Sequence, residues 1–440
     1  MVSKKYSFGR FFMAIALWCY GILTSQDIVP IFLTLPTFLL VLYKLTTING
    51  NKFNADDMIW LCCLLFFVVA PCQQIVNYQF PKSTNVGVYY EVSDFLVAEL
   101  IVFLSCLSFI LASSKKNQNE VSSFEDTLHI KSVQLFQLFG IALFCFIIYV
   151  IIYGPSNLFA SRFDKDLSDS NFLSVPFLAM LTVATTIFAI TVNKKSSIFV
   201  MAAFLLLTML LFVAVNPTNM SRFFNVATWA PVIFGFFSSG LSFIYIYLFI
   251  MMGIFIIMPF ISITTRFGLA GLQNIDDKSR DLFILKDMDV FNTLVHGVKY
   301  MSNKDYLWGD NTLAVIFFFV PRSIWSDKPI LGGLLVGDEL KYYYEAGTAN
   351  LSYFFGGDLY MDFGLIGVIF GFWIIGKIYK KSQLSSSIIY NKANLISLMV
   401  IGSVPILIRG PLGAVEGYFI CLLLAIYTYS SLYKLKLKQY

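Results

Sequence analysis

Seven residues in this chain could grip an anion with a planar fork of donors: Arg10, Arg162, Arg222, Arg266, Arg280, Arg322 and Arg409. A guanidinium binds phosphate or carboxylate through two parallel hydrogen bonds, whereas a lysine ammonium acts as a hydrated point charge. Of the 31 basic residues only these seven are arginines. With the N-terminus placed inside, as argued below, all of them but Arg10 fall on the outer side of a membrane, while 16 of the 24 lysines fall inside. Membrane topology needs positive charge and is indifferent to which residue supplies it. Six outer arginines therefore point to an anionic ligand at the outer surface. The competing explanation is simple pairing with Asp164, Asp166 and Asp276.

The richest stretch is 264–353. Arg322 and Lys328 flank Trp325 and Asp327 between Pro321 and Pro329, directly after the apolar run Thr312–Val320. Nine residues cannot cross a bilayer, so that run should be re-entrant or interfacial. It would set both cations at headgroup depth, as a clamp for a lipid-borne phosphate or as snorkelling anchors beside an interfacial Trp. From Asp281 to Met301, the positions Ile284, Met288, Phe291, Val295 and Val298 recur at helical spacing, with Asp289, Asn292, His296 and Lys299 opposite. That pattern predicts an amphipathic helix on the outer leaflet with His296 in water. His296 would be the outer group titrating nearest neutrality, and hence a candidate proton carrier. Tyr342, Tyr343 and Tyr344 suit sugar stacking or an aromatic belt equally. Glu416, one or two turns into the last apolar run, would face the bundle interior, with Arg409 as partner.

The rest of the chain must hold these groups in a membrane. Its 440 residues are 58% hydrophobic, 17% aromatic and 13% charged, with mean hydropathy +0.75. That excludes a water-soluble enzyme, a nucleic-acid binder and a small disulfide domain. The seven cysteines lie in apolar runs without paired CxxC spacing, and His129 and His296 are far apart, so neither a metal nor a cofactor is expected. About twelve apolar stretches are candidate spans, at 8–24, 28–45, 58–78, 94–112, 133–153, 171–192, 197–215, 223–239, 241–262, 354–376, 394–410 and 412–431. The first reads as an uncleaved span, since no small-x-small site follows it. With both termini inside, inner connections carry 17 of 31 positive charges, and short outer loops carry only Lys82, Arg162, Lys165, Arg222 and Arg409. The expected fold is an all-α, polytopic helix bundle of eleven to thirteen spans. Its parts would be a bundle over 1–263, an outer loop with amphipathic and re-entrant elements over 264–353, and three spans with a basic tail over 354–440.

The order of features resembles the bacterial O-antigen polymerase family, the oligosaccharide repeat unit polymerases. The specific signal lies within about 306–371: WGDNT from Trp308, FFFVPRSIWSDKP from Phe317, Gly332-Gly333, and GGDLYMDFGLIG from Gly356. The resemblance implies a metal-independent membrane glycosyltransferase of the integral-membrane (GT-C) type in the bacterial inner membrane. Its donor would be a growing chain on undecaprenyl pyrophosphate and its acceptor one lipid-linked repeat. A flippase and a chain-length regulator would be its partners. By position Arg322 and Lys328 match the long-loop motif, and Arg162 lies where an earlier outer-loop arginine is expected. Arg266, Arg280 and Arg409 are candidates on the arginine partition alone, and Trp325 and Tyr343 as aromatic contacts.

The chemistry suits such residues. Breaking a sugar–pyrophosphate bond leaves charge on the departing phosphate, which arginines stabilise electrostatically. Attack by an acceptor hydroxyl needs a base. Asp310, Asp327, Asp338, Glu339, Asp358, Glu416 and His296 are all candidates, and the sequence does not choose. The rivals are an O-antigen ligase of the same layout and a flippase. Transporters built of repeats show two similar halves, whereas here nine candidate spans precede the long loop and three follow.

Overall fold

The computed structural model describes residues 2–25, 28–48, 50–75, 79–80, 88–114, 132–159, 173–192, 197–215, 220–237, 242–253, 288–318, 320, 324–340, 352–388, 390–410 and 416–432. Among these the chain is nearly all helix, apart from a hairpin pairing Gln79–Phe80 antiparallel with Val88–Tyr89. Among the described residues, each of the twelve apolar stretches contains a helix. Seven are long and apolar enough to cross a membrane: Phe8–Ser25, Val29–Thr47, Ala55–Gln74, Val92–Ser113, Ser132–Tyr153, Val175–Val192 and Phe355–Lys381. The other five, Ile198–Ala214, Phe223–Phe236, Phe243–Met252, Leu395–Arg409 and Gly417–Ser431, are shorter. This is a helical membrane protein.

The chain gathers into two compact units that interleave along the sequence. The first comprises Met1–Leu111, Leu241–Ile375 and Ile408–Leu412. Its core is Ala55–Gln74, which is buried almost throughout and carries a π-helical stretch at Leu65–Val69. This helix opens with a reciprocal cap: Asp57 N–H donates to the Asn54 side chain at 3.0 Å, and Asn54 N–H donates to the Asp57 carboxylate at 3.2 Å. Gly21 admits the core helix closely, since a Cβ there would lie 3.1 Å from the Val69 carbonyl. Arg10 and Asp57, both wholly buried, form a two-pronged pair at 2.6 and 3.0 Å.

The described part of the hydrophilic segment folds into this same unit. Val290–Met301 packs against Ala70–Gln74 and Gly332–Leu340, and ten of its residues are buried. The expected helix on the outer leaflet is therefore corrected. Its polar face meets protein groups rather than water, and helical periodicity is identical in the two cases. Asp310–Ile316 spans only seven residues, too short to cross a bilayer, and leaves Leu313, Ile316 and Phe317 exposed.

The helix over the stretch read as a span at 354–376 carries a break that the sequence reading did not anticipate. Phe355–Ile388 is broken at Phe363–Gly364, where Gly364 adopts φ 64° and ψ −156°, a conformation open essentially to glycine alone. The opening piece folds back on the continuing helix. A Cβ on Gly367 would lie 2.6 Å from the Leu359 carbonyl, and one on Gly371 would collide with the Leu359 side chain. These glycines accommodate the chain's own preceding turns.

The second unit comprises Ala112–Gly240, Gly376–Leu407 and Gly413–Tyr440. Val175–Val192 runs through its centre, packed on Ser132–Tyr153, Ile198–Ala214, Arg222–Phe236 and Glu416–Leu432. Its threonines return their hydroxyls to carbonyls four residues back, as Thr182 to Leu178 at 2.9 Å and Thr186 to Thr182 at 2.8 Å, so they add no unsatisfied group to an apolar interior. The Tyr418 hydroxyl then joins Thr182 at 3.0 Å and Thr228 at 3.1 Å, tying three helices together.

Candidate functional site

Val290–Met301 and its cap residue carry Asp289, Asn292, His296 and Lys299 at intervals of three and four, so all four share one face. Three of them meet polar partners from distant segments. At the start of the helix, Asp289 Oδ1 accepts from Ser352 Oγ at 2.5 Å and from Arg409 Nη2 at 3.2 Å. The Arg409 carbonyl accepts from Tyr353 N–H at 2.9 Å, which fixes the end of its helix beside the site. Two turns on, His296 Nδ1 lies 3.2 Å from the Tyr90 hydroxyl and Nε2 lies 3.6 Å from Glu339 Oε2. Lys299 donates to the Tyr89 carbonyl and sits 5.4 Å from the Tyr90 ring centre. The Gln79–Tyr89 hairpin delivers both tyrosines.

His296 is 2% exposed. Burial pushes its imidazole down to about 4, and the Lys299 charge acts in the same direction. At neutral pH the ring is uncharged, so its contact with half-exposed Glu339 is not an ion pair. Placing the proton on Nε2 sets a donor toward the carboxylate and leaves Nδ1 to accept from the Tyr90 hydroxyl; the opposite tautomer would aim a lone pair at a carboxylate. A neutral imidazole between a buried phenol and an accessible carboxylate can orient that carboxylate or relay a proton through it. Tyr353 packs behind the helix where Gly297 and Gly357 leave room. Its phenol is raised well above the usual range by burial and by nearby Asp358.

A buried polar frame holds the helix that carries Glu339. Asp362 accepts from Asn311 N–H at 3.0 Å, Thr312 N–H at 2.8 Å and Thr312 Oγ1 at 2.6 Å. Asn311 Oδ1 accepts from Gly332 N–H at 2.6 Å, and Asp358 Oδ1 accepts from Gly333 N–H at 3.2 Å. The opening piece of the broken helix, the short Asp310–Ile316 helix and Gly332–Leu340 are thereby joined. Asp358, one of the candidate bases, is buried as part of this frame.

The residues singled out from sequence divide sharply. Arg162, Arg266, Arg280, Arg322 and Tyr343 lie outside the described residues, as does the side chain of Glu416. His296 is not in water but buried, because Tyr90 and Glu339 cover the face that a surface helix would show to solvent. Arg409 meets Asp289; its expected partner Glu416 has its side chain outside the described residues. Lys328 Nζ donates to the carbonyls of Phe317, Phe318 and Val320 at 3.1, 3.0 and 3.1 Å. Three N–H groups on three carbonyls close the end of a short helix, a role the sequence reading did not anticipate for this lysine. Trp325 stands edge-on to Phe317, with ring centres 6.2 Å apart. Asp327 is exposed.

Sequence reasoning overlooked Tyr90 and Ser352, which carry no signal before the chain is folded. It also passed over Glu99, 5% exposed in Val92–Ser113 and accepting from Thr37 Oγ1 at 3.2 Å. A carboxylate in the middle of an apolar run was a legible sign of a buried polar contact. No family model, no curated protein and no solved structure matches the chain.

Proposed function

We propose that the chain is a membrane glycosyltransferase that polymerises lipid-linked oligosaccharide repeats on the outer face of the bacterial inner membrane. In this reading it has about twelve spans in a GT-C-like arrangement, both termini are cytoplasmic, and the 264–353 segment lies outside. The growing chain leaves undecaprenyl pyrophosphate and joins the non-reducing end of a new lipid-linked repeat. The bond from the anomeric carbon to the pyrophosphate oxygen breaks, and the pyrophosphate departs with the electron pair beside outer arginines. The acceptor hydroxyl oxygen forms the new bond and gives its proton to a carboxylate, inverting the anomeric carbon.

The observation that carries this reading is the polar face of Val290–Met301, drawn into an apolar unit and lined by Asp289, His296 and Lys299 with Arg409 at its end. Buried ionisable groups are costly in a chain of this composition and cluster where chemistry needs them. The arginine partition and the resemblance over 306–371 supply the substrate class. Glu339 is the best-placed base, accessible on one side and backed by His296 on the other.

The test is an assay of the purified chain on undecaprenyl-pyrophosphate-linked repeat, beside Arg322→Ala, Arg322→Lys and Glu339→Gln. A ladder of lipid-linked multimers that is lost with Ala and Gln and largely lost with Lys is the expected result. Absence of any ladder, with lipid-linked sugar still crossing vesicle membranes, would replace the enzyme with a transporter. Attachment to a different lipid acceptor without lengthening would identify a ligase.

A further inference from the structure

Trp308 is the one described non-glycine residue held at positive φ, at 50°. Large side chains avoid that region, and such outliers persist only where the surroundings impose them. Here Trp308 N–H donates to the Asp362 carbonyl at 3.1 Å, and Leu307 N–H donates to the Met361 carbonyl at 2.9 Å. Gly309, at φ 103°, follows directly, with Phe363 packed beneath it. The Asp362 carboxylate anchors Asn311 and Thr312, two and three residues further on. This rigid frame presents an indole that is 75% exposed. Beside it stands Tyr306, 42% exposed, its ring centre 6.4 Å away and its plane turned by 87°. Tyr360 backs Tyr306 at 6.3 Å, again near a right angle.

We infer that the Tyr306–Trp308 turn is a carbohydrate-binding platform that takes a pyranose across the indole face. This rests on the polymerase reading for the identity of the sugar, which would belong to the lipid-linked repeat. A pyranose has one C–H-rich face and a rim of hydroxyls. An aromatic ring offers its negative face to the first, and neighbouring carboxylates and amides accept from or donate to the second. Two rings at right angles form a corner that fits a sugar's face and edge together. Asn303, Lys304, Asp305 and Asp310 around the turn are all exposed, which surrounds the indole with the polar groups that hydroxyls require. An interfacial tryptophan that only anchors a protein in lipid needs neither a strained backbone nor a charged rim.

The experiment uses the full-length protein in nanodiscs, as wild type, Trp308→Phe and Trp308→Ala. The probe is the oligosaccharide released by mild acid from undecaprenyl-pyrophosphate-linked repeat of the producing cells. Wild type should show a saturable change in tryptophan emission that is missing in Trp308→Phe. In the multimer assay, Trp308→Ala should raise the half-saturating concentration of lipid-linked repeat about tenfold, and Trp308→Phe should recover most of that loss. Both variants should unfold at the wild-type temperature within a few degrees. Emission changes equal in wild type and Trp308→Phe overturn the platform. So does selective quenching of Trp308 by brominated acyl chains without any response to oligosaccharide, which would make it a lipid anchor. If oligosaccharide shifts Trp308 but no multimers form, the platform stands and the polymerase reading falls. If multimers form with unchanged half-saturation in Trp308→Ala, the platform falls and the polymerase reading stands.

Discussion

Two arginine–aspartate pairs in the first unit show how surroundings decide what one residue combination does. Arg10 and Asp57 are wholly buried and meet through two bonds of 2.6 and 3.0 Å. The remaining arginine donors turn to the Gly50 carbonyl at 2.9 Å, and the guanidinium lies 4.2 Å from the Phe243 ring centre. Nothing of this fork is open to a ligand. Arg409 and Asp289 meet through one contact of 3.2 Å with 26% and 15% of their side chains exposed, and Asp289 also binds Ser352. The inner pair is a staple that joins segments 47 positions apart. The outer pair, the more exposed of the two, stands at the head of the polar helix face.

The largest effect that would sharpen this contrast is expected at the staple. Arg10→Ala leaves a buried carboxylate with no counter-charge, which costs about 3–5 kcal/mol. Thermal unfolding in detergent should show a fall of about five to ten degrees or a failure to recover monodisperse protein. Replacing both partners, as Arg10→Met with Asp57→Leu, should restore most of the loss, because no orphan charge remains. A near-native melting temperature for Arg10→Ala alone would break the contrast outright.

The next effect belongs to the outer region and depends on pH. His296 is held neutral in the folded protein, lowered to about 4 from 6.5, so the unfolded chain binds the extra proton between those values. Stability is therefore full above about 6.5 and declines as pH falls toward 4. The full difference is about 3 kcal/mol, of which about 2 kcal/mol is gone by pH 5. Unfolding measured from pH 7.5 to 5 should show this decline in wild type and a much flatter profile in His296→Gln. Parallel profiles would mean that His296 is not buried away from its neighbours' charges as described.

Much of this architecture could be read from sequence, and the failures have a common cause. The apolar runs located the helices because some twenty apolar residues in a row have few other uses. The periodicity over 281–301 found Val290–Met301 and sorted its faces correctly. It could not tell whether the polar face met water or Tyr90, Glu339 and Arg409, since a hydrophobic pattern records only which side is apolar. The break at Gly364 escaped for a related reason: hydropathy averages over a segment and is blind to one backbone dihedral. The carbonyls that Lys328 meets escaped as well, because every residue carries one. Arg10 was read only as a topology charge, its partner Asp57 being 47 positions away.

Lys328→Met tests the third effect. Losing three hydrogen bonds from a half-exposed ammonium to helix-end carbonyls should cost about 1–2 kcal/mol. It should loosen Phe317–Val320 without abolishing activity. Hydrogen exchange across 310–330 should rise while the multimer ladder persists. Complete loss of the ladder with unchanged exchange would instead restore Lys328 to the substrate and would blur the line between stapling cations and binding ones.

The smallest stability change is expected at Arg409, and it decides what the outer pair is for. With one contact and partial exposure, the pair should contribute no more than about 1 kcal/mol, so Arg409→Ala should melt within a few degrees of wild type. If the guanidinium serves the departing pyrophosphate, the same variant should lose at least tenfold in polymerisation rate. Arg409→Lys should recover little, because an ammonium cannot grip two oxygens in a fixed plane. Asp289→Asn removes the charge on the partner while its amide oxygen can still accept from Ser352 Oγ, and it should lower the rate less than Arg409→Ala does. Equal losses of stability and rate in Arg409→Ala would make the outer pair a second staple, and the difference between the two regions would then be one of depth alone.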